Sequence, residues 1–268
     1  MIGVFDSGVG GLTVLKALMH ELPCERFIYL GDTARLPYGT KSAATVVRYA
    51  LQATEALARY RPKCLVIACN TASAVSLPAV RGRIADVPVI GVIEPGAQAA
   101  CAASRCGRIA VIATEGTVRG GAYRQAIVRR RADALVSALP APLFVALAEE
   151  GICHGPIAEA AARHYLDPLF ASAARESRPD TLVLGCTHFP MLVAPIRAAI
   201  GPEVSIVDSA ATTARHVRGT LEQGGLAARQ GAGEVHFLAT DAPERFARIG
   251  ERFLERPIAP EEVELIDL

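Results

Sequence analysis

Two cysteines stand apart by their surroundings. Cys69 and Cys186 each end a run rich in apolar residues, and each is followed by threonine within two positions: Val66-Ile67-Ala68-Cys69-Asn70-Thr71 in the first half of the chain and Val183-Leu184-Gly185-Cys186-Thr187-His188 in the second. A thiol at a strand-to-helix turn meets free backbone N–H groups and the positive end of a helix, so the sequence predicts a lowered pKa for both. Such a pair can act as redox partners, as metal ligands, as a nucleophile with a spare, or as an acid and a base. Metal ligation calls for more donors at metal spacing, and only His188 is close in sequence to either thiol. A cysteine nucleophile needs a base oriented by a third group. Inversion of a stereocentre needs only an acid and a base on opposite faces of one carbon, where one group removes the proton and the other returns it. The other five cysteines, Cys24, Cys64, Cys101, Cys106 and Cys153, lack this setting and read as structural.

Further polar groups fall at similar turns. Asp6-Ser7-Gly8-Val9-Gly10-Gly11 is glycine-rich but has neither the Gly-Lys-Ser/Thr ending of a phosphate loop nor the spacing of a dinucleotide fingerprint. Its glycines are read as letting the backbone approach a small ligand, with Asp6 and Ser7 offering polar groups to an ammonium or carboxylate; a plain helix N-cap is the alternative for Asp6. Pro37-Tyr38-Gly39 forms a turn that can aim a phenol and backbone amides at a cleft. His188 titrates nearest neutrality and lies two residues from Cys186, within reach of its thiol. Glu149-Glu150 closes an apolar stretch, and one of the two carboxylates is expected to face the same cleft. Removing the α-proton of an amino acid leaves a carbanion, so such a site must exclude water and place donors around the carboxylate. A pyridoxal cofactor would need a Schiff-base lysine, and Lys16, Lys41 and Lys63 occupy no convincing cofactor pocket, so no cofactor is expected.

Positioning these groups requires an alternating fold. Short β-rich runs (Gly3 to Phe5, Phe27 to Leu30, Leu65 to Ala68, Val89 to Ile93, Ile109 to Ala113, Leu182 to Leu184, Ser205 to Val207) alternate with longer Ala-rich amphipathic stretches. That alternation predicts an α/β fold of βαβ units with mainly parallel sheets, and ligands in such sheets bind at the carboxyl ends of the strands. The matching cysteine turns further predict two pseudo-symmetric α/β domains with the active site in the cleft between them. The expected division is residues 1–95 plus 208–268 in one domain and 96–207 in the other.

Taken in order, several motifs closely resemble those of the cofactor-independent glutamate racemases of the aspartate/glutamate racemase superfamily. They are the first glycine-rich turn, Pro37-Tyr38-Gly39, Ala68-Cys69-Asn70-Thr71-Ala72-Ser73, Gly91-Val92-Ile93-Glu94-Pro95, Ala113-Thr114-Glu115-Gly116-Thr117-Val118 and Gly185-Cys186-Thr187-His188-Phe189-Pro190. The resemblance implies L-/D-glutamate as the small-molecule partner, with Cys69 acting on one enantiomer and Cys186 on the other, and D-glutamate supplied to peptidoglycan synthesis. It implies Asp6 and His188 as polar assistants, Glu149 as a further carboxylate, and Ser7, Tyr38, Gly39, Asn70, Thr71, Thr187 and His188 as substrate-binding residues, with Thr114 and Thr117 in the same shell. It also allows a homodimer. An aspartate or hydantoin racemase of the same fold, or a binding module that has lost turnover, remains the alternative.

Composition fits these expectations. The 268 residues carry 28 Lys and Arg against 27 Asp and Glu, a net charge of +1, with no basic stripe for a phosphate backbone, so nucleic acid is not an expected partner. Gly, Pro or a charge breaks each apolar run before the roughly 20 residues needed to span a bilayer. Met1-Ile2-Gly3-Val4-Phe5 lacks a basic leader, and a cytoplasmic location is expected. Seven cysteines without a Cys-x-x-Cys pair read as reduced thiols.

Overall fold

The computed structural model describes residues 1–171 and 177–268. Strands β1 (Ile2–Asp6), β2 (Phe27–Gly31), β3 (Cys64–Ile67) and β4 (Val89–Gly91), joined by β9 (Val235–Ala239) and β10 (Val263–Leu265), form a six-stranded sheet in the order β10-β9-β2-β1-β3-β4. Strands β5 (Arg108–Ala113), β6 (Leu135–Pro140), β7 (Thr181–Gly185) and β8 (Ser205–Asp208) form a second sheet in the order β6-β5-β7-β8. Every neighbouring pair is parallel, as crossover helices between successive strands require. The chain thus leaves the first sheet after β4, builds the second, and returns for β9 and β10.

Helices α1 (Leu12–Glu21), α2 (Ala43–Ala58) and α3 (Asn70–Arg83) connect the strands of the first sheet, and α4 (Ile93–Ala103) leads to the second. There α5 (Glu115–Gly120), α6 (Ala122–Arg130), α7 (Leu143–Glu150), α8 (Gly155–Phe170) and α9 (Val193–Ile200) follow, and α10 (Ser209–Gln223) and α11 (Pro243–Leu254) complete the chain. The longer helices present an apolar face at the expected period: α1 buries Leu12, Leu15 and Leu18, and α11 buries Phe246, Ile249, Gly250 and Phe253 while its three arginines stay partly in solvent. Each fully buried Leu, Ile or Phe contributes about 1.5–3 kcal/mol. One core cluster runs through both halves, taking Val4 and Val66 from the first sheet and Ile112 and Leu184 from the second.

Two local expectations are corrected. The run from Val89 to Ile93 splits: the strand stops at Gly91, where an added Cβ would lie 2.6 Å from a Leu77 methyl, and Ile93 opens α4. Pro190 sits in a short 3₁₀ turn, Phe189–Leu192, ahead of α9, so the two cysteine turns are not true copies of each other. Among the described residues no helix is long and apolar enough to cross a membrane.

Candidate active site

A cavity of about 280 Å³ opens at the carboxyl ends of strands from both sheets, and both thiols line it. Strand register explains the convergence. Pairing of Asp6 with Gly31 and of Phe5 with Ile67 brings Ser7, the Leu36–Thr40 turn and Cys69 to one rim. Pairing of Ala113 with Gly185 and with Pro140 brings Thr114, Cys186 and the Pro142–Glu149 segment to the other.

On the first side, Cys69 is the N-cap of α3, and its Sγ accepts a hydrogen bond from the Ala72 N–H at 3.4 Å. The helix end does not lower this thiol, contrary to the sequence-based expectation. Burial, followed by the charge of Asp6, pushes its pKa up to about 12, against smaller opposing contributions from the Ser7 hydroxyl and the Ala72 N–H. Asp6 is fully buried at the end of β1; Gly8 N–H donates to its Oδ2 at 2.9 Å, and its Oδ1 has no protein partner. Burial raises its pKa, with His188 and backbone donors pulling the other way. Asp6 is not a helix N-cap, because α1 begins only at Leu12.

The second side is built around His188. Its Nδ1 lies 3.7 Å from the Cys186 Sγ and its Nε2 lies 3.3 Å from Glu149 Oε1, while Arg245 donates to Glu149 Oε2 at 3.0 Å. Burial alone would lower the pKa of His188. Hydrogen bonds with Cys186 and Glu149, and the charges of Cys186 and Asp6, outweigh it and raise the imidazole to about 10. Glu149 is held below the usual carboxylate range, first by its hydrogen bond with His188, against the opposing effect of burial, and then by the charges of His188 and Arg245. Its neighbour Glu150 is exposed.

Between these sides lie the remaining polar groups. Asn70 is buried in the cavity wall; its Oδ1 accepts from the Tyr123 hydroxyl at 2.7 Å, and its Nδ2 has no protein partner. The hydroxyls of Thr71, Thr114 and Thr117 form a mutual cluster, with 2.9 Å between Thr71 and Thr114. Ser7, Gly39 and Thr187 line the cavity as well. Tyr38 also lines it, but its hydroxyl donates to the buried Asp32, which in turn holds Arg35; the phenol is tied down and not aimed at the cavity. Burial and the Asp32 charge push that phenol upward.

The glycine-rich turn also has a packing role. A Cβ on Gly10 would stand 2.4 Å from His188 Cε1 and Nδ1 and from Thr187 Oγ1, and one on Gly11 would stand 2.4 Å from the Asp6 Cβ. Gly10 lets the turn after β1 pack against the Cys186 loop, which Thr13 also engages by donating to the Thr187 carbonyl at 3.1 Å, while Gly11 makes room for Asp6 and the Tyr29 hydroxyl. Groups that sequence reasoning did not single out include Leu36, Pro142, Val145 and Ala146, which form the apolar part of the cavity wall, and Tyr123, Asp32 and Arg245, which hold the polar residues in place. Among the described residues no cluster of three His, Cys, Asp or Glu side chains is placed to hold a metal ion.

Comparison with known proteins places the chain among racemases similar to it in sequence and fold. The Asp/Glu/Hydantoin racemase family model matches residues 13–217. The glutamate racemase of Geobacter metallireducens is 51% identical over 254 residues, covering 94% of this chain and 92% of that protein. The solved structure of a Bacillus anthracis glutamate racemase isoform superposes with a TM-score of 0.92 at 35% identity, covering 100% of this chain and 97% of that one. The Francisella tularensis glutamate racemase, solved in complex with D-glutamate, gives 0.91 at 35% identity and covers 99% of this chain and 97% of that one.

Proposed function

The chain belongs to the Asp/Glu/Hydantoin racemase family, and from that premise we propose that it interconverts L- and D-glutamate by passing the α-proton between Cys69 and Cys186. The carrying observation is that the two thiols, more than a hundred residues apart and contributed by different sheets, line one small cavity. The same reading divides the chain into residues 1–95 with 208–268 and residues 96–207, each part supplying one thiol. It places the enzyme in the cytoplasm, allows a homodimer, and sends its D-glutamate to peptidoglycan synthesis.

The two sides differ in a way that suits an acid and a base. Cys69, pushed up to about 12, stays protonated near neutral pH and is set to donate. On the other side the His188 imidazole, raised to about 10, lies 3.7 Å from the Cys186 sulfur, and that sulfur is set to accept the α-proton. After one turnover the roles are exchanged, which is the state required for the opposite enantiomer. The unpaired Asn70 Nδ2 and the threonine hydroxyls supply donors for substrate carboxylates, and closing them off from water strengthens each contact. The proton moves through protein groups alone, without a cofactor.

The test compares rates on D-glutamate, D-aspartate and a hydantoin by circular dichroism, with Cys69→Ser and Cys186→Ser beside the wild type. Glutamate is expected to turn over fastest, and each serine variant to lose about 10²- to 10⁴-fold in kcat/KM, because a serine hydroxyl is a far weaker acid than a thiol, so it neither ionises to take the α-proton nor readily returns one. A wild type that prefers aspartate or the hydantoin would refute the substrate assignment; full activity in either variant would remove that cysteine from the mechanism.

A further inference from the structure

Beyond the residues that the family model matches, which end at 217, the chain returns to the active site once more. Helix α11 belongs with the first sheet, against α1 and β10, yet three of its side chains reach the second side of the cavity. Arg245 donates to Glu149 Oε2 at 3.0 Å, and Arg252 donates to the Glu149 carbonyl at 3.2 Å. Phe253 sets its ring edge-to-face with His188 at 5.3 Å. Glu149 therefore stands in a fork, one carboxylate oxygen toward His188 and the other toward Arg245. Arg252 also closes over Gly151, where the chain turns with φ +76° and a Cβ would lie 2.7 Å from a guanidinium nitrogen.

We propose that Arg245 is a positioning residue of the proton-transfer machinery: it holds the outer oxygen of Glu149 so that the inner oxygen orients His188 toward Cys186. The inference rests on the racemase reading above, since it gives that reading's His188 a remote support. A carboxylate free to rotate about its terminal bond satisfies His188 in only part of its population, and anchoring the second oxygen removes that freedom. Glu149 faces His188, Arg245 and Arg252, and His188 faces Cys186, Glu149 and Asp6, so these are the charges that shape any pH response.

The experiment records kcat and KM from pH 3.5 to 10 for the full-length wild type, Arg245→Gln, Arg245→Lys and Arg248→Gln, the last an exposed arginine on the same helix. Arg245→Gln is expected to lower kcat at pH 7 about tenfold with KM within about twofold, the pattern of lost positioning. Without the cation, Glu149 takes up a proton at higher pH, so the acid limb of the profile moves up. Lysine restores most of the loss, and Arg248→Gln overlays the wild type. A glutamine profile that overlays the wild type, an equal change in Arg248→Gln, or no recovery in the lysine variant overturns the inference alone. A wild type that does not racemise glutamate removes both the inference and the reading beneath it.

Discussion

Substituting Gly10 by alanine distinguishes two explanations of the first glycine-rich turn. If the glycines exist to let a ligand approach the backbone, the methyl group obstructs substrate and raises KM while leaving the fold intact. The structure gives another outcome. The new Cβ would lie 2.4 Å from two atoms of the His188 ring and from Thr187 Oγ1, about 1 Å short of ordinary contact. Gly10 does not have a positive φ, so the cost is steric and falls on the contact between the two halves. Overpacking of that kind costs about 1–3 kcal/mol, which at a slope of about 3 kcal/mol/M lowers the urea midpoint by about 0.3–1 M. Moving His188 by about 1 Å also breaks its approach to Cys186 and Glu149, for a loss of about 10²-fold in kcat. Because the two enantiomers have equal free energy, kcat/KM must fall by the same factor in both directions. Gly8→Ala is the control: its Cβ meets only a Leu36 methyl at 3.5 Å, and both stability and rate should stay near wild type. Circular dichroism follows both unfolding and racemisation. A Gly10→Ala protein with wild-type stability and kcat but a raised KM would refute the packing argument.

Two further outcomes follow from the same geometry. His188 is raised to about 10 from its usual 6.5, so the stability it contributes is full below about pH 6.5 and is lost as pH rises through 10. Glu149→Gln should therefore destabilise the protein by about 1–3 kcal/mol at pH 7, and urea titrations should show that gap narrowing above pH 10; a gap independent of pH contradicts the charged pair. Asn70→Ala removes the unpaired Nδ2 donor from the cavity and should raise KM about tenfold or more, as expected for a hydrogen bond to a carboxylate. An unchanged KM in steady-state assays would take Asn70 out of substrate binding.

The parallel α/β architecture was legible because its inner strands are short apolar runs bounded by glycine and polar turns, as in Ile2–Asp6 and Thr181–Gly185. Three strands escaped the sequence reading. Leu135–Pro140 is an edge strand with alternating exposure, Val235–Ala239 begins with half-exposed residues, and Val263–Leu265 has only three residues, two of them exposed. Both thiols, Asp6, His188 and Glu149 were identifiable from local context together with family resemblance. Local context misjudged the protonation of Cys69, because a nearby backbone N–H can be read from sequence while the burial and the Asp6 charge that dominate depend on tertiary packing. It likewise missed Arg245, about a hundred residues from Glu149 along the chain and on an unremarkable amphipathic helix.

The account is tested most directly by converting D-glutamate in heavy water and reading the α-position of both enantiomers by mass spectrometry during the first few per cent of reaction. Transfer between two separate sulfur atoms predicts L-glutamate carrying deuterium from solvent while the remaining D-glutamate is still unlabelled. L-Glutamate that keeps the original hydrogen, or D-glutamate that gains deuterium as fast as product forms, would contradict a proton taken by one thiol and returned by the other.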